Sequence, residues 1–379
     1  MQPLSGILVL DFTTLLPGPL ATLMLAESGA EVVKVERPGG EDVRNFPPYW
    51  NDVSANFAML NAGKRSVIAD LKNPDDRARL RPLVERADVL VEQFRPGVME
   101  RLGLGYDAVR AINPRIVYCS ISGYGQKGPR AGEAGHDLNY IGATGLLALA
   151  PGRKDAPTVP PALIADIAGG TMPAVMNILL GLRQRDLTGE GSHIDVAMTD
   201  AMFTFTWHAL AAGHVQGRFP GPGEARLCGG SPRYQLYLTA DAKLVACAAL
   251  EQKFWNAFTQ TIGLAPKFVD DARDPQETKD AIAEIIRSKS AAEWSPLLAR
   301  ADCCATIVAS LAEALQDRHF VERGLFTRRV RTEGDDEFPA LPLPIAPQFR
   351  SKDLVEQLAK LDEDASLLAE GARQAARRE

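Results

Sequence analysis

The sequence predicts an α/β protein: a parallel sheet covered by helices on both faces, followed by a second, smaller α+β domain. Three observations carry this. Between Gly6 and His214, short runs rich in Val, Ile and Leu alternate with helix patterns. Those runs are apolar almost throughout, as strands buried on both faces must be. The chain of 379 residues, at roughly 150 per domain, has room for about two domains.

Strands are expected at Gly6 to Phe12, Glu31 to Glu36, Ser66 to Leu71, Asp88 to Phe94 and Ile116 to Ser122, each bounded by turn residues. The clearest helix start is Asn73-Pro74-Asp75-Asp76: an N-cap, a proline at the first helical position, then acids that complement the dipole, before an amphipathic stretch to Ala87. A long apolar helix is expected from about Ile167 to Arg183, then a strand at His193 to Met198 and a further helix to His214. The turn formers of Gly217 to Gly223 mark a linker. Beyond it a hairpin is expected from Tyr234–Thr239 and Leu244–Ala248, with helices at Gln252–Ile262, Lys279–Ser288 and Ala292–Arg300. The proline-rich run Phe338–Pro347 reads as a polyproline-like tether and Asp353–Arg378 as a closing charged helix. The expected domains are therefore 1–216, 225–328 and a C-terminal segment, 329–379.

Composition narrows the function classes. With 46% hydrophobic and 24% charged residues the chain has an ordinary globular profile, and a net charge of −6 offers no global attraction to nucleic acid or anionic lipid. The start Met-Gln-Pro-Leu-Ser-Gly lacks a basic leader, and Pro17 and Pro19 interrupt the early apolar run, so no membrane partner and a cytoplasmic location are expected. Cys119, Cys228, Cys247, Cys303 and Cys304 are odd in number and scattered, which reads as free thiols. The Cys303-Cys304 pair lies in an apolar run and is read as two small hydrophobes.

Ligands of an open parallel sheet gather at the strands' carboxyl ends. No G-x-G-x-x-G follows the first strand and no P-loop occurs, which removes the main support for nicotinamide and nucleotide-triphosphate chemistry. Without H-E-x-x-H or G-x-S-x-G, a zinc site and a hydrolase triad are disfavoured, and His208 and His214 read as packing or surface residues. Acid–base chemistry remains. His136 follows Gly135 in a turn-like stretch beyond the fifth strand, either as a site group or as a loop histidine with Asp137 as a helix cap. Asp166 opens an apolar helix ahead of Gly169-Gly170, where it is either a desolvated acid or an N-cap, with free helix N–H groups beside it for an oxyanion. Glu251 starts a helix and has the same capping alternative.

Together with Leu15-Leu16-Pro17-Gly18-Pro19, Phe94-Arg95-Pro96-Gly97-Val98 and Gly123-Tyr124-Gly125-Gln126-Lys127-Gly128-Pro129, these segments resemble the class III CoA-transferase superfamily of the carnitine dehydratase/bile-acid-inducible type over nearly the whole chain. Gly135-His136-Asp137-Leu138-Asn139-Tyr140 resembles its α-methylacyl-CoA racemase branch. The resemblance implies a Rossmann-like large domain, a small domain and a homodimer of interlocked subunits, with active sites between the large domain of one and the small domain of the other. It implies His136 and Asp166 as the acid–base pair, Glu251 hydrogen-bonded near His136, and no cofactor beyond the CoA carried by an acyl-CoA substrate. It points to Arg37, Ala69, Asp70, Leu71, Lys72 and Arg95 as contacts to CoA, and to Gly135, Asp137, Asn139 and Tyr140 as further substrate- or CoA-binding residues.

The expected activity is racemisation of a 2-methyl-branched acyl-CoA by 1,1-proton transfer. The alternatives are CoA transfer through an aspartyl-CoA intermediate on Asp166, and an acyl-CoA-binding protein without turnover. Relative to the family pattern, Cys228 replaces an aspartate before Gly-Gly and Ala242 replaces a hairpin glycine.

Overall fold

The computed structural model describes residues 1–150, 152–153, 155–332 and 336–368. Its central feature is a six-stranded sheet of β1 (Leu8–Phe12), β2 (Glu31–Glu36), β3 (Arg65–Ile68), β4 (Val89–Glu92), β5 (Val117–Ser122) and β6 (Ser192–Ala197). The spatial order is β3-β2-β1-β4-β5-β6 and every pairing is parallel. The chain winds outward in both directions from β1, so a crevice opens where β1 and β4 diverge at their carboxyl ends.

Helices cover both faces, as the continuous apolar strands require. On one face Leu80, Leu83 and Val84 of α2 (Pro74–Arg86) and Val109 of α3 (Tyr106–Ile112) pack with Leu10, Val33 and Leu90. On the other lie α1 (Pro17–Glu27) and α5 (Met172–Thr188), between which in sequence comes α4 (Asp137–Ala143). Asn73 caps α2 as its sequence predicts, its side chain accepting the Asp75 N–H at 2.9 Å.

Two compact units divide the chain. The larger comprises Met1–Ile141, Ala162–Met202 and the segment from His319; the smaller comprises Gly142–Pro161 and Phe203–Arg318. Residues 142–161 and 203–216, expected with the large domain, therefore group with the smaller unit. That unit holds the antiparallel strands β7 (Tyr234–Leu238), β8 (Leu244–Ala248) and β9 (Ala305–Ile307). Helices α6 (Gln252–Ile262), α7 (Pro275–Arg287) and α8 (Ala291–Ala301) pack Trp255, Phe258, Ile282 and Trp294 against Val245 and Cys247.

Several sequence expectations are corrected. The strand predicted to Leu71 ends at Ile68, because 69–72 turn so that the Lys72 N–H reaches Asp70 at 2.9 Å. The predicted helix from Ile167 begins as a π-helical turn, Ala165–Thr171, before α5. The proline-rich run is a packed strap rather than a solvated tether: Leu341, Leu343 and Ile345, alternate residues of an extended chain, pack against Leu20, Leu23 and Met24 of α1.

The predicted helix from Asp353 contains instead a strand, Val355–Gln357, parallel to Arg329–Arg331; residues 369–378 lie outside the described residues. Asp362 and Asp364 accept the edge-strand N–H groups of Ile68 at 2.7 Å and Ser66 at 3.0 Å. Charge that resembled a helix face thus satisfies the exposed ladder edge of β3. All five cysteines are free; Cys303 is buried as expected, but Cys304 is exposed, since its backbone turns through φ 53° at the end of α8. One stretch, Ala165–Thr188, is long and apolar enough to cross a membrane by length and composition, and 44% of its apolar window is buried within the protein.

Candidate active site

Two cavities open at the carboxyl end of the parallel sheet, both within the larger unit. The first, of about 470 Å³, is lined by His136, Asp166, Asn139, Tyr140, Gly135 and Arg95, with Leu15, Phe94, Ile121 and Met198 among its apolar walls. The second, of about 520 Å³, is lined by Arg37, Ala69, Asp70, Leu71 and Lys72 with Thr13, Glu41 and Arg101. Phe94 lines both.

His136 stands exposed at the mouth of the first cavity, just ahead of α4. Its backbone N–H donates to the Asn139 side chain at 3.0 Å, and its carbonyl accepts the Asn139 N–H at 2.8 Å, so His136 occupies the cap position and Asp137 is the first residue of α4 rather than its cap. Asp137 is buried and does something the sequence did not reveal: its carboxylate accepts the N–H of Asp166 at 3.0 Å, across 29 positions of chain. Tyr140 closes the turn by donating its hydroxyl to the Gly135 carbonyl, and burial together with Asp166's charge pushes its phenol up to about 12.

Asp166 is half-buried in the first turn of the π-helical segment, whose N-cap position is Ile164, so the capping alternative does not hold. Burial is the main influence on its carboxyl, and the charge of Asp137 adds to it against the opposing influence of His136; the acid is pushed up to about 6. The following glycines allow the close approach that seats this turn: a Cβ on Gly169 would collide with the Met198 carbonyl. Thr171 then donates its hydroxyl to the Pro17 carbonyl at 2.8 Å, tying the segment to the start of α1.

Two of the helix N–H groups expected to hold an oxyanion are already used. The Asp166 N–H goes to Asp137 and the Ile167 N–H to the Leu163 carbonyl at 3.1 Å. The polar residues that line this cavity are instead Arg95, His136, Asn139 and Gln93.

In the second cavity Arg37 is exposed, donating to the Gly40 carbonyl at 3.0 Å and pairing with Asp42. The 69–72 turn is built by local bonds: the Asp70 N–H donates to Asp76 at 2.8 Å, and Arg77 donates to the Leu71 carbonyl at 2.7 Å. Lys72 is exposed at the rim. The pairing of exposed cations with apolar walls from Phe12, Val35 and Leu102 suits an anion attached to a flat ring. Arg95, grouped with these by sequence, lines the first cavity instead.

Glu251 belongs to the smaller unit, exposed at the N-cap position of α6 without a side-chain capping bond. His208 and Cys228 are neighbours in that unit, with Nε2 and Sγ 3.5 Å apart.

Sequence reading missed the groups that shape the crevice from beneath. Asp11, fully buried at the end of β1, pairs with Lys64 at 3.1 Å and accepts from Thr22 at 2.6 Å. Its carboxyl is held well below the usual range by Lys64, Lys34 and two threonines, against the burial that pushes it up, while burial pushes Lys64 down to about 8. Lys34 donates to the Thr13 carbonyl at 2.9 Å, and Gln93 accepts the Gly18 N–H at 3.0 Å, so the loop from Thr13 to Gly18 is fixed from both sides. The available signal was a lysine inside the apolar run Glu31-Val-Val-Lys-Val-Glu36, where an unpaired charge would be costly.

The model of CoA-transferase family III matches residues 4–354. The human alpha-methylacyl-CoA racemase is 35% identical over 358 residues, covering 92% of this chain and 89% of its own. The acetyl-CoA:oxalate CoA-transferase of Acetobacter aceti is also 35% identical, over 327 residues and 82% of each chain. Among solved structures, a CAIB/BAIF family protein from Brucella suis superposes with a TM-score of 0.80 at 28% identity, over 99% of both chains. The Mycobacterium tuberculosis protein Rv3272 does so with a TM-score of 0.82, again at 28% identity, over 97% of this chain and 99% of its own. A family match over most of the length, relatives above 30% identity and a shared fold make this chain a member of CoA-transferase family III.

Proposed function

We propose that the protein is an acyl-CoA racemase or epimerase that inverts the α-carbon of a 2-methyl-branched acyl thioester. The observation that carries this reading is the sharing of one cavity by an imidazole and a carboxyl whose pKa is pushed up to about 6. A thioester acidifies its α-hydrogen, and inversion needs one group to take a proton from one face and another to return one to the opposite face. An imidazole serves in either direction near neutrality. An ordinary carboxyl is a poor proton donor at pH 7; one raised toward 6 is better matched to the task.

His136 and Asp166 are accordingly assigned as the two proton-transfer groups, alternating as base and acid for opposite enantiomers. Arg95, Asn139 and Gln93 line the region where the enolate oxygen would develop. Arg37, Lys72 and the 69–71 turn are assigned to the CoA portion, and no other cofactor enters the reaction. Glu251 is assigned as a positioning residue. The protein is proposed to act as a homodimer, a reading supported by the exposed Met176, Leu179, Leu180 and Leu187 along α5. Five free thiols fit a reducing, cytoplasmic setting.

CoA transfer is the second reading, favoured by the equal identity to a CoA-transferase. In it Asp166 attacks the thioester as a carboxylate, the form that still predominates at pH 7 with a pKa pushed up to about 6. Incubating one enantiomer of a 2-methylacyl-CoA in deuterated water separates the two. Deuterium at C2 with loss of optical purity, without an acceptor acid, is expected. CoA movement only in the presence of a free carboxylic acid would overturn the racemase reading.

A further inference from the structure

Outside the two cavities, a chain of polar side chains crosses three neighbouring strands. Glu92, the last residue of β4, is 4% exposed, and one of its oxygens accepts the Phe94 N–H at 2.8 Å. Ser120, equally buried, sits opposite it in register on β5, so the two side chains are cross-strand neighbours on one face of the sheet. Ser120 Oγ is 3.0 Å from Nε2 of His193 on β6. The His193 ring stacks on Tyr106 at 4.8 Å and meets Tyr118 edge-on at 5.4 Å, with its outer edge at the surface. The inner end of this chain is therefore the backbone of the Gln93–Pro96 loop, which lines the first cavity and whose Phe94 also lines the second.

We propose that Glu92, Ser120 and His193 form a proton-linked relay that sets how firmly the Gln93–Pro96 loop is held, and through it how the protein binds the CoA portion of its substrate as pH changes. This rests on reading the two cavities as the CoA-thioester site. It assigns positioning roles to three residues, none of which lines either cavity.

The hydrogen bonds balance in two states. In the first, Glu92 is a neutral acid donating O–H to Ser120 Oγ, the Ser120 hydroxyl donates to His193 Nε2, and the imidazole proton sits on Nδ1. In the second, Nδ1 has released that proton to solvent, Nε2–H donates to Ser120, and Ser120 donates to a Glu92 carboxylate. One proton has left and every bond has been kept with its direction reversed. The bond from Phe94 N–H changes from one to a neutral acid into a charge-assisted one, which is roughly twice as strong.

The surroundings favour switching near neutrality. Burial pushes Glu92 up to about 7, with Glu100 and Asp195 adding to the shift and the bonds from Ser120 and Phe94 opposing it. Burial pushes His193 below its ordinary value against the charges of Asp195, Glu100 and Asp107, with Lys127 adding to the fall. As pH rises through neutrality the inner end therefore ionises while the outer imidazole stays neutral.

The test uses ligand-free protein isotope-labelled at histidine Cε1, titrated from about pH 5.5 to 9; with five histidines, His193→Asn assigns the signal. Wild type is expected to show, besides imidazole protonation, a His193 inflection near neutrality that disappears in Glu92→Gln and Ser120→Ala. Identical His193 curves in all three proteins would overturn the relay. Calorimetric binding of coenzyme A reads the loop. Affinity is expected to rise about fivefold from acid to alkaline pH in wild type and to stay at the acid-side value in Glu92→Gln, whose amide imitates the neutral acid. Parallel pH profiles for those two proteins would overturn the positioning role. Should Ser120→Ala fail to fold, His193→Asn breaks the chain at its exposed end, and an unmoved midpoint of the binding profile would count against the coupling. If wild type binds no coenzyme A at any pH, the reading of the cavities fails while the histidine titration still decides the relay.

Discussion

Asp137 and Asp166 are joined by a hydrogen bond from the Asp166 backbone N–H to the Asp137 carboxylate, at 3.0 Å. The buried acid next to His136 in the chain thus anchors the turn that carries the second proposed acid–base group, and its charge helps push that group's pKa up. One side chain both locates the carboxyl and adjusts its acidity.

Replacing Asp137 by Asn keeps an oxygen acceptor and removes the charge. With that contribution gone, the Asp166 pKa is expected to fall from about 6 toward the ordinary carboxylate value. The inflection assigned to Asp166 in the pH profile of α-deuterium exchange should move to lower pH. An unmoved inflection would disconnect Asp137 from the acidity of Asp166.

His136→Gln and Asp166→Asn each remove one proton-transfer group. Loss of a positioned acid or base costs roughly 10²–10⁴ in rate, so each variant should lose two or more orders of magnitude of racemisation, measured by polarimetry or chiral chromatography. Wild-type rates in either would refute the assignment. A variant that still exchanges deuterium with retention of configuration would show that one face works alone.

Asp166→Asn should also change stability with a definite sign. The folded carboxyl has its pKa raised above its unfolded value of 3.8, so its contribution is most favourable below that value and declines as pH rises through about 6. The asparagine variant is therefore expected to gain stability relative to wild type at pH 8 and to match it near pH 3.8. Because the group is partly solvated, the gain is on the order of 1 kcal/mol. Denaturant midpoints at the two pH values measure it.

Arg37 is exposed and contributes little to the fold, its partners being Asp42 and the Gly40 carbonyl in its own surface loop. Arg37→Ala should raise KM for acyl-CoA about tenfold at low salt with kcat nearly unchanged, and the difference should shrink as salt rises. An equal fall in kcat would place Arg37 closer to the chemistry than the second cavity allows.

Ala242, between β7 and β8, has φ 59°, a left-handed conformation that costs an L-residue roughly 1–2 kcal/mol. Ala242→Gly should therefore raise stability by about 1 kcal/mol, after allowing for the greater freedom of glycine when unfolded. A thermal melt of the two proteins tests this.

The strands were legible because their signal is local. Leu8–Phe12, Glu31–Glu36 and Val117–Ser122 are short runs dense in apolar and β-branched residues between turn formers, as strands covered on both faces require. Helix α6 was bounded correctly at both ends because its hydrophobic face recurs with helical period and Gly263 stops it. His136 and Asp166 were singled out from neighbouring glycines and apolar residues, with a family resemblance supplying their pairing.

What the sequence determined by itself was the set of elements and the chemistry available: an α/β chain with one imidazole and one carboxyl in segments suited to acid–base work, and no nucleotide or metal fingerprint. The tertiary structure decided where each polar group is used. Asp137 turned from a cap into an anchor, two of the helix N–H groups beside Asp166 were already taken, Arg95 moved to the first cavity, and the terminal acids sealed a sheet edge. The physical reason is range: apolar periodicity is set by neighbours a few residues away, whereas a buried donor takes whichever acceptor the fold brings within 3 Å, and that partner can lie anywhere in the chain.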